Sequence, residues 1–103
     1  MVPFAGYLMP VQYRAGIMQE HLHTREKAGL FDVSHMGQVV VTGAGAARAL
    51  EKLVPVDLEA LAINQQTYAT FTAEDGGVLD DLIITRWAED SFFLVVNAGC
   101  KHA

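Results

Sequence analysis

The sequence predicts an α+β fold in which an antiparallel meander sheet is flanked by helices. Three β-like runs follow one another, at Gln65 to Ala73, Val78 to Trp87 and Phe92 to Ala98. Short turn-forming sequences join them, Asp75-Gly76 and Glu89-Asp90. Strands joined in sequence by tight turns pair antiparallel, and helical spacing is confined to the first half of the chain, which indicates α+β rather than α/β.

Four segments are expected before the meander. In chain order they are an irregular, partly buried lead-in at residues 1–16, a helix from Gly16 to Ala28, a strand from Gln38 to Thr42, and a short helix from Ala46 to Leu53. Pro3 and Pro10 bracket the lead-in and argue against regular structure there. Gly29 is expected to cap the first helix, and Pro55 follows the end of the second.

Length and composition exclude several classes of protein. At 103 residues the chain holds one domain at most, and 51% hydrophobic with 18% charged residues is typical of a globular protein. Seven basic against twelve acidic residues give a net charge of −5, which disfavours nucleic acid and anionic lipid as partners. No apolar run approaches a membrane span, so a soluble, unexported chain is expected. The single cysteine, Cys100, permits no internal disulfide and is expected to be a buried or partly buried filler.

Two adjacent carboxylates on the middle strand of the meander raise the functional question. Because successive side chains of a strand point to opposite faces, Asp80 and Asp81 cannot both point the same way. An unpaired carboxylate is costly to bury, so the inward one needs a partner or a ligand. Structural carboxylates outnumber catalytic ones, so two alternatives to a functional role stay open. Asp81 could take a backbone or arginine partner in the core, or it could lie on a solvated face with Asp80 inside instead.

The hairpin turns fix which residues share a face with Asp81. A two-residue loop at Asp75-Gly76 sets Glu74 opposite Gly77. A three-residue loop from Ala88 to Asp90 sets Trp87 opposite Ser91, whereas a two-residue loop there would break the resulting pairing of Asp81 with Asn97. Together these registers pair Thr70 with Asp81, Tyr68 with Ile83, Asp81 with Asn97, and Ile83 with Val95. The combined face therefore consists of Tyr68, Thr70, Asp81, Ile83, Val95 and Asn97, a mixture that suits a flat heterocyclic ligand.

Other motifs carry weaker signals. The glycines of Gly43-Ala-Gly45 follow a strand and open a helix, but the parallel βαβ frame of a dinucleotide site is missing. His21 and His23 lie two apart on a predicted helix and diverge by about 200°, so they cannot share a metal. His35, in a loop, is expected to make a structural hydrogen bond.

Three stretches resemble the aminomethyltransferase of the glycine cleavage system, the T-protein family. They are Phe4-Ala-Gly-Tyr-Leu-Met-Pro-Val-Gln-Tyr13, Ala28-Gly-Leu-Phe-Asp-Val-Ser-His-Met-Gly37, and Gly76-Gly-Val-Leu-Asp-Asp-Leu82 followed by Leu94-Val-Val-Asn-Ala98. The second is the most specific. The resemblance implies that residues 1–103 are a single incomplete domain, the N-terminal portion of a folate-binding domain. Related non-catalytic folate-binding modules, such as iron-sulfur assembly proteins and the folate domains of dimethylglycine and sarcosine dehydrogenases, are the alternative.

The family resemblance also implies a reaction, partners and a site. Tetrahydrofolate accepts a one-carbon unit from the aminomethyl group on the lipoyl arm of the H-protein, ammonia is released, and no metal is involved. Asp81 matches the critical acidic residue, and the folate contacts match Tyr68, Asp81, Ile83, Val95, Asn97 and, less closely, Met36. The resemblance implies a cytoplasmic protein, or a mitochondrial-matrix one in a eukaryote. The chain alone is expected to be inactive, to bind folate weakly, and to self-associate through uncovered sheet edges.

Overall fold

A computed structural model describes residues 1–102, which divide into two compact units. The first comprises Met1–His35, and the second begins at Met36. Each is described separately below. Among the described residues, no helix is long and apolar enough to cross a membrane.

The first unit contains a β-hairpin that the sequence analysis missed. Strands β1 (Val2–Phe4) and β2 (Tyr7–Met9) pair antiparallel, with Phe4 opposite Tyr7. The turn residues Ala5 and Gly6 have φ values of 49° and 85°, as the two central positions of a type I′ turn require. The prediction of irregular structure is therefore wrong for residues 2–9, whereas residues 10–16 are irregular as predicted. The prediction of partial burial is also wrong, since only Met9 and Gly16 of residues 1–16 are not exposed. Proline is tolerated in a two-stranded ribbon, where an edge position needs no N–H donor.

Helix α1 (Ile17–Glu26) follows and ends earlier than predicted. Its C-terminal cap is Lys27, whose N–H donates to the carbonyl of His23 at 2.9 Å. Gly29 is not the cap, and its φ is not positive. A Cβ atom at Gly29 would lie 2.7 Å from the Thr24 hydroxyl oxygen, so close approach of the chain to Thr24, rather than a left-handed cap, favours glycine there.

The second unit is a four-stranded antiparallel sheet with one short helix. Its elements are β3 (Gly37–Thr42), α2 (Ala46–Glu51), β4 (Gln66–Thr72), β5 (Val78–Ala88) and β6 (Ser91–Val96), followed by a 3₁₀ turn at Ala98–Cys100. The strand order is β3-β6-β5-β4. The predicted α+β fold with an antiparallel meander is confirmed.

One face of this sheet carries the core, which α2 and the segment leading to β4 cover. Phe92, Leu58 and Ile84 are its largest fully buried side chains. Its remaining buried members are Ala46, Leu50, Val54, Leu61, Ala69, Leu82 and Leu94. Because β3 pairs antiparallel with β6 and α2 has only 6 residues, the glycines before α2 do not sit in a dinucleotide-binding frame.

The first hairpin of the meander has a loop one residue longer than predicted. Thr72 pairs with Val78, and the Ala73 N–H donates to the Gly77 carbonyl at 2.7 Å, so the predicted pairing of Glu74 with Gly77 is wrong. Gly76, with φ 88°, turns the chain. The register then shifts, because Phe71 pairs with Asp80 and leaves Leu79 as a bulge.

The loop of the second hairpin is one residue shorter than predicted. Ala88 pairs with Ser91 around the two residues Glu89 and Asp90, so the predicted pairing of Trp87 with Ser91 is wrong. Trp87 is a bulge residue instead. In each hairpin the bulge shifts the register by one residue and so cancels the one-residue difference between the predicted and the observed loop length. The predicted pairs Thr70 with Asp81, Tyr68 with Ile83, and Ile83 with Val95 are all present.

The last predicted strand also ends early. It stops at Val96, and the backbone turns into the 3₁₀ segment through Asn97. Cys100 lies in that segment and is exposed, so its predicted role as a buried filler is wrong.

Candidate functional site

The sheet face opposite the core carries the residues that the sequence analysis placed together. We call it the open face and define it by the cross-strand neighbours Tyr68, Thr70, Asp81, Ile83 and Val95. Tyr68 is 79% exposed, whereas Ile83 and Val95 are half-buried. The face is therefore an accessible surface with an aliphatic centre and a phenol at one side.

Asp81 stands at the end of the open face and is held there by an amide. The Asn97 side-chain nitrogen donates to Asp81 Oδ1 at 2.8 Å and lies 3.1 Å from the Asp81 backbone carbonyl. The predicted strand pair of Asp81 with Asn97 is absent, because the pairing of β5 with β6 ends at Leu82 and Val96. The two residues are neighbours through these side-chain contacts instead. The partner of Asp81 is thus neither an arginine nor a backbone N–H.

Asp80 is the carboxylate on the core side of the strand, and its partner is also Asn97. Asp80 Oδ2 accepts the Asn97 backbone N–H at 3.2 Å, and Oδ1 accepts the side-chain amide at 2.8 Å. Its neighbour across the strand pair is Phe71, which packs against the core. The sequence analysis left Asp80 out of the site because strand alternation points it away from the open face. Its proximity to Asn97 had no signal in the sequence.

The Asn97 side chain donates hydrogen bonds to the two aspartates and does not cap the 3₁₀ segment. It precedes the 3₁₀ segment in an extended conformation, with φ −65° and ψ 144°, and its side chain makes no capping hydrogen bond. Asparagine at such a position often caps with its side-chain oxygen. Within the described chain, neither the Asn97 side-chain oxygen nor Asp81 Oδ2 accepts a hydrogen bond. Both atoms remain as acceptors for a ligand.

This arrangement suits a flat ligand that has N–H donors. A carboxylate oxygen and an amide oxygen accept hydrogen bonds from adjacent ring or exocyclic nitrogens. The aliphatic side chains of Ile83 and Val95 provide an apolar surface beside them. An ionised Asp81 would also stabilise positive charge that develops on a bound group.

Met36 directly precedes β3, whose first residue Gly37 pairs with Val96. This places Met36 at the end of the sheet where Asn97 leaves β6, and its side chain is half-buried. Gly37 allows this close packing, because a Cβ atom there would lie 2.5 Å from a Val96 methyl group. The structure thus brings Met36 to the same end of the sheet as Asn97.

Two aromatic residues that the sequence analysis did not assign to the site lie farther along the sheet. Trp87 and Phe93 stack with ring centroids 4.6 Å apart and an interplanar angle of 8°. The bulge directs Trp87 to the same side of β5 as Thr85, whose partner is Phe93. A bulge has no reliable signal in sequence, so this stacked pair could not be predicted.

The titratable groups of the first unit form no comparable site. Ser34 donates its hydroxyl and its backbone N–H to Asp32, which lowers the pKa of that exposed carboxyl, with a smaller contribution from His35. His35 makes edge contacts with Phe4 and Tyr7 at centroid distances of 5.8 and 6.2 Å. In the part of the chain that the structure describes, no three His, Cys, Asp or Glu residues are grouped so as to hold a metal ion.

A groove of the first unit has a volume of about 1320 Å³. It is lined by residues of β2, of α1 and of the segment from Ala28 to His35. The groove is wide open and contains none of the residues that were predicted to bind a ligand. We therefore place the candidate site on the open face.

Comparisons with known proteins agree on one family. The model of the GCVT N-terminal domain matches residues 1–103. A mitochondrial aminomethyltransferase of Dictyostelium discoideum is 53% identical over 97% of this chain, which covers 25% of that protein. An aminomethyltransferase of Clostridium botulinum is 50% identical over 98% of this chain and 27% of its own length.

A solved structure shows the same fold. The crystal structure of the glycine cleavage system aminomethyltransferase T from Bartonella henselae superposes with a TM-score of 0.90. The two sequences are 50% identical, and the match covers 95% of this chain and 27% of the other. The chain therefore spans about a quarter of the length of the relatives it matches.

Proposed function

The chain belongs to the GCVT N-terminal domain family, and on that basis we propose that the polypeptide carrying it is an aminomethyltransferase of the glycine cleavage system. The one-carbon unit passes from the aminomethyl-lipoyl arm of the H-protein to tetrahydrofolate, and ammonia is released. The observation that carries this proposal is the Asp81 carboxylate, held by Asn97 at 2.8 Å on an accessible face. The relatives supply the reaction class, since they are named aminomethyltransferases.

The residues of the open face fit tetrahydrofolate as the one-carbon acceptor. Its pterin is flat and has N–H donors, which complement the acceptor atoms of Asp81 and Asn97. Ile83 and Val95 would pack against the ring, and Tyr68 and Met36 would border it. Tetrahydrofolate supplies the amine that takes up the one-carbon unit.

Asp81 has three roles in this proposal. Its carboxylate accepts a hydrogen bond from a folate N–H and so orients the attacking nitrogen. Its negative charge stabilises the positive charge that develops on the transferred carbon, and its oxygen can receive the proton that the nitrogen loses. Asn97 keeps the carboxylate in place through its side-chain amide.

The 103-residue chain by itself is expected to bind tetrahydrofolate weakly. Tyr68 is 79% exposed, so the open face offers a ligand only one wall. Ligand sites usually bury most of the ligand surface in a cleft. Tight one-to-one binding in a titration of this chain would contradict that expectation. Relatives occur in bacteria and in mitochondria, and we propose the bacterial cytoplasm or the mitochondrial matrix as the compartment.

The direct test is an assay of ammonia release from aminomethylated H-protein by the full natural polypeptide that contains this chain. We expect release that depends on tetrahydrofolate and produces methylenetetrahydrofolate. A non-catalytic folate-binding module would bind tetrahydrofolate without accelerating ammonia release, and that result would refute the proposal. The names of the matching relatives do not favour this alternative.

A further inference from the structure

We propose that Asp80 is a positioning residue, which holds Asn97 and through it fixes the orientation of the Asp81 carboxylate on the open face. This inference rests on the proposed function, because the orientation of Asp81 affects a rate only if Asp81 acts on a ligand. Asp80 itself lies on the core side of β5, next to Phe71 and on the opposite side of the strand from the open face. Its effect is therefore indirect.

The first support is that Asp80 accepts two hydrogen bonds from Asn97. Oδ2 accepts the backbone N–H at 3.2 Å, and Oδ1 accepts the side-chain amide at 2.8 Å. Contacts to both the main chain and the side chain restrict the side-chain torsions of Asn97 as well as its backbone. This occurs just where β6 ends, so the sheet ladder no longer holds the residue.

The second support is that the same amide nitrogen also holds Asp81. An asparagine amide has two N–H donors, and the Asn97 nitrogen lies 2.8 Å from Asp80 Oδ1, 2.8 Å from Asp81 Oδ1 and 3.1 Å from the Asp81 backbone carbonyl. With one proton committed to Asp80, the other is directed at Asp81. Asp81 Oδ1 thereby accepts a hydrogen bond, whereas Oδ2 accepts none within residues 1–102.

The third support is the lack of another role for the Asp80 charge. A half-buried structural carboxylate is usually paired with a cation. Among residues 1–102, Asp80 accepts hydrogen bonds only from Asn97, and the ion pair of Arg48 with Glu59 does not involve it. Asp80 and Asp81 share one amide, and their negative charges repel each other. Such an unfavourable arrangement is expected where function requires a fixed orientation of one of the two carboxylates.

The first arm of the test measures geometry in the 103-residue chain by NMR. In the unchanged chain, we expect two well-separated side-chain amide proton signals for Asn97 and couplings that report one χ1 rotamer of Asp81. In Asp80→Asn, which keeps the shape and removes the charge, the separation should shrink and the Asp81 couplings should average. Glu74→Gln, an exposed charge in the neighbouring loop, is the matched control and should change neither. Unchanged couplings in Asp80→Asn would overturn the proposal.

The second arm measures kcat in the full natural polypeptide, for Asp80→Asn alone and in the Asp81→Asn background. A positioning role predicts that Asp80→Asn lowers kcat by about 10- to 100-fold with Asp81 present and changes it less than about threefold with Asp81 replaced. Equal losses in both backgrounds would indicate a merely structural role and overturn the proposal, and so would full activity of Asp80→Asn.

The two failures are separable. If the unchanged enzyme releases no ammonia, the proposed function fails, while the NMR arm still decides whether Asp80 orients Asp81. If the enzyme is active and the double substitution shows additive losses, the positioning role alone fails. Asp80→Ala serves as a second variant, and its expected loss is larger because it removes both acceptor oxygens.

Discussion

Adjacent aspartates meet different surroundings because strand alternation sends them to opposite faces. Asp81 stands on the open face, and Asp80 lies beside the core. Opposite orientations of the two carboxylates follow from the sequence alone, since the β-strand period dictates them, but the sequence leaves open which carboxylate lies beside the core. The shared partner does not follow, because Asn97 reaches both carboxylates only where β6 has ended and the chain turns. The sequence predicts which face of a strand a residue occupies, but it does not predict the conformation of the chain where the strand ends.

A second residue-scale consequence concerns the exposed Asp32. Its pKa is lowered because the Ser34 hydroxyl and N–H both donate to the carboxylate, and the N–H distance is 3.0 Å. Since the folded pKa is depressed, the turn gains stability above the ordinary pKa of the group, 3.8, and loses it as the pH falls through the lower folded value.

We therefore expect NMR titration to place the Asp32 carboxyl below its ordinary range. Ser34→Ala should raise its pKa, because the side-chain donor is the largest cause of the shift. Asp75→Asn, in a different turn, is the control and should leave the Asp32 titration unchanged. An identical Asp32 pKa with and without the Ser34 hydroxyl would refute this account.

At the scale of elements, the two hairpins show what sequence can and cannot determine. Both predicted loops are wrong by one residue, yet the strand pairs around Asp81 are right. The alternation of polar and apolar residues determines which strand pairs face the core. Each observed loop differs in length by one residue from the predicted loop, and a bulge, at Leu79 in one hairpin and at Trp87 in the other, restores the pairing that the alternation requires. Turn residues alone predict neither bulge. The hairpin β1-β2 is not predictable from proline content, because Pro3 lies within β1 although proline disfavours strands.

Arg86 joins β5 to the segment that covers the core. Its Nη1 donates to the carbonyls of Leu61 at 2.7 Å and Glu59 at 3.1 Å, and its Nη2 donates to that of Glu89 at 3.0 Å. The guanidinium also lies 5.5 Å from the centroid of the Phe92 ring. A single side chain therefore ties three backbone groups together.

We expect Arg86→Ala to lower the free energy of unfolding by about 2 kcal/mol, because it removes charge-assisted hydrogen bonds and leaves their carbonyl partners unpaired. Arg48→Ala is the matched control. Its ion pair with Glu59 is exposed, with side-chain exposures of 81% and 54%, so its loss should cost less than about 1 kcal/mol. Urea denaturation measures both, and equal effects of the two substitutions would contradict the role given to Arg86.

At the scale of the whole molecule, burial is concentrated in the second unit. Every residue classed as buried among those described lies between Ala46 and Ala98, and α1 buries none of its residues. The fold class was predictable because the meander makes up most of this unit. The division of the chain into two units was not predictable from the sequence. The first unit has the sequence pattern of a helix, but its apolar side chains are not buried in the structure.

Hydrogen exchange should reflect that distribution. We expect the amides of β5 and β6 to exchange slowest, since these central strands carry Ile84, Leu94 and Phe92, and the amides of α1 to exchange faster by orders of magnitude. Exchange measured by NMR on the 103-residue chain tests this. Protection in α1 equal to that in β5 would show that the first unit has a stability that its burial does not explain.

The central claim is that the Asp81 carboxylate acts on the one-carbon unit, and a single substitution tests it most directly. The measurement is the rate of tetrahydrofolate-dependent ammonia release by Asp81→Asn in the full natural polypeptide, with Glu74→Gln as control. We expect an unchanged fold by circular dichroism and a loss of about 10²- to 10³-fold in kcat, the size found when a preorganised electrostatic group is removed. Normal turnover by Asp81→Asn would contradict the account.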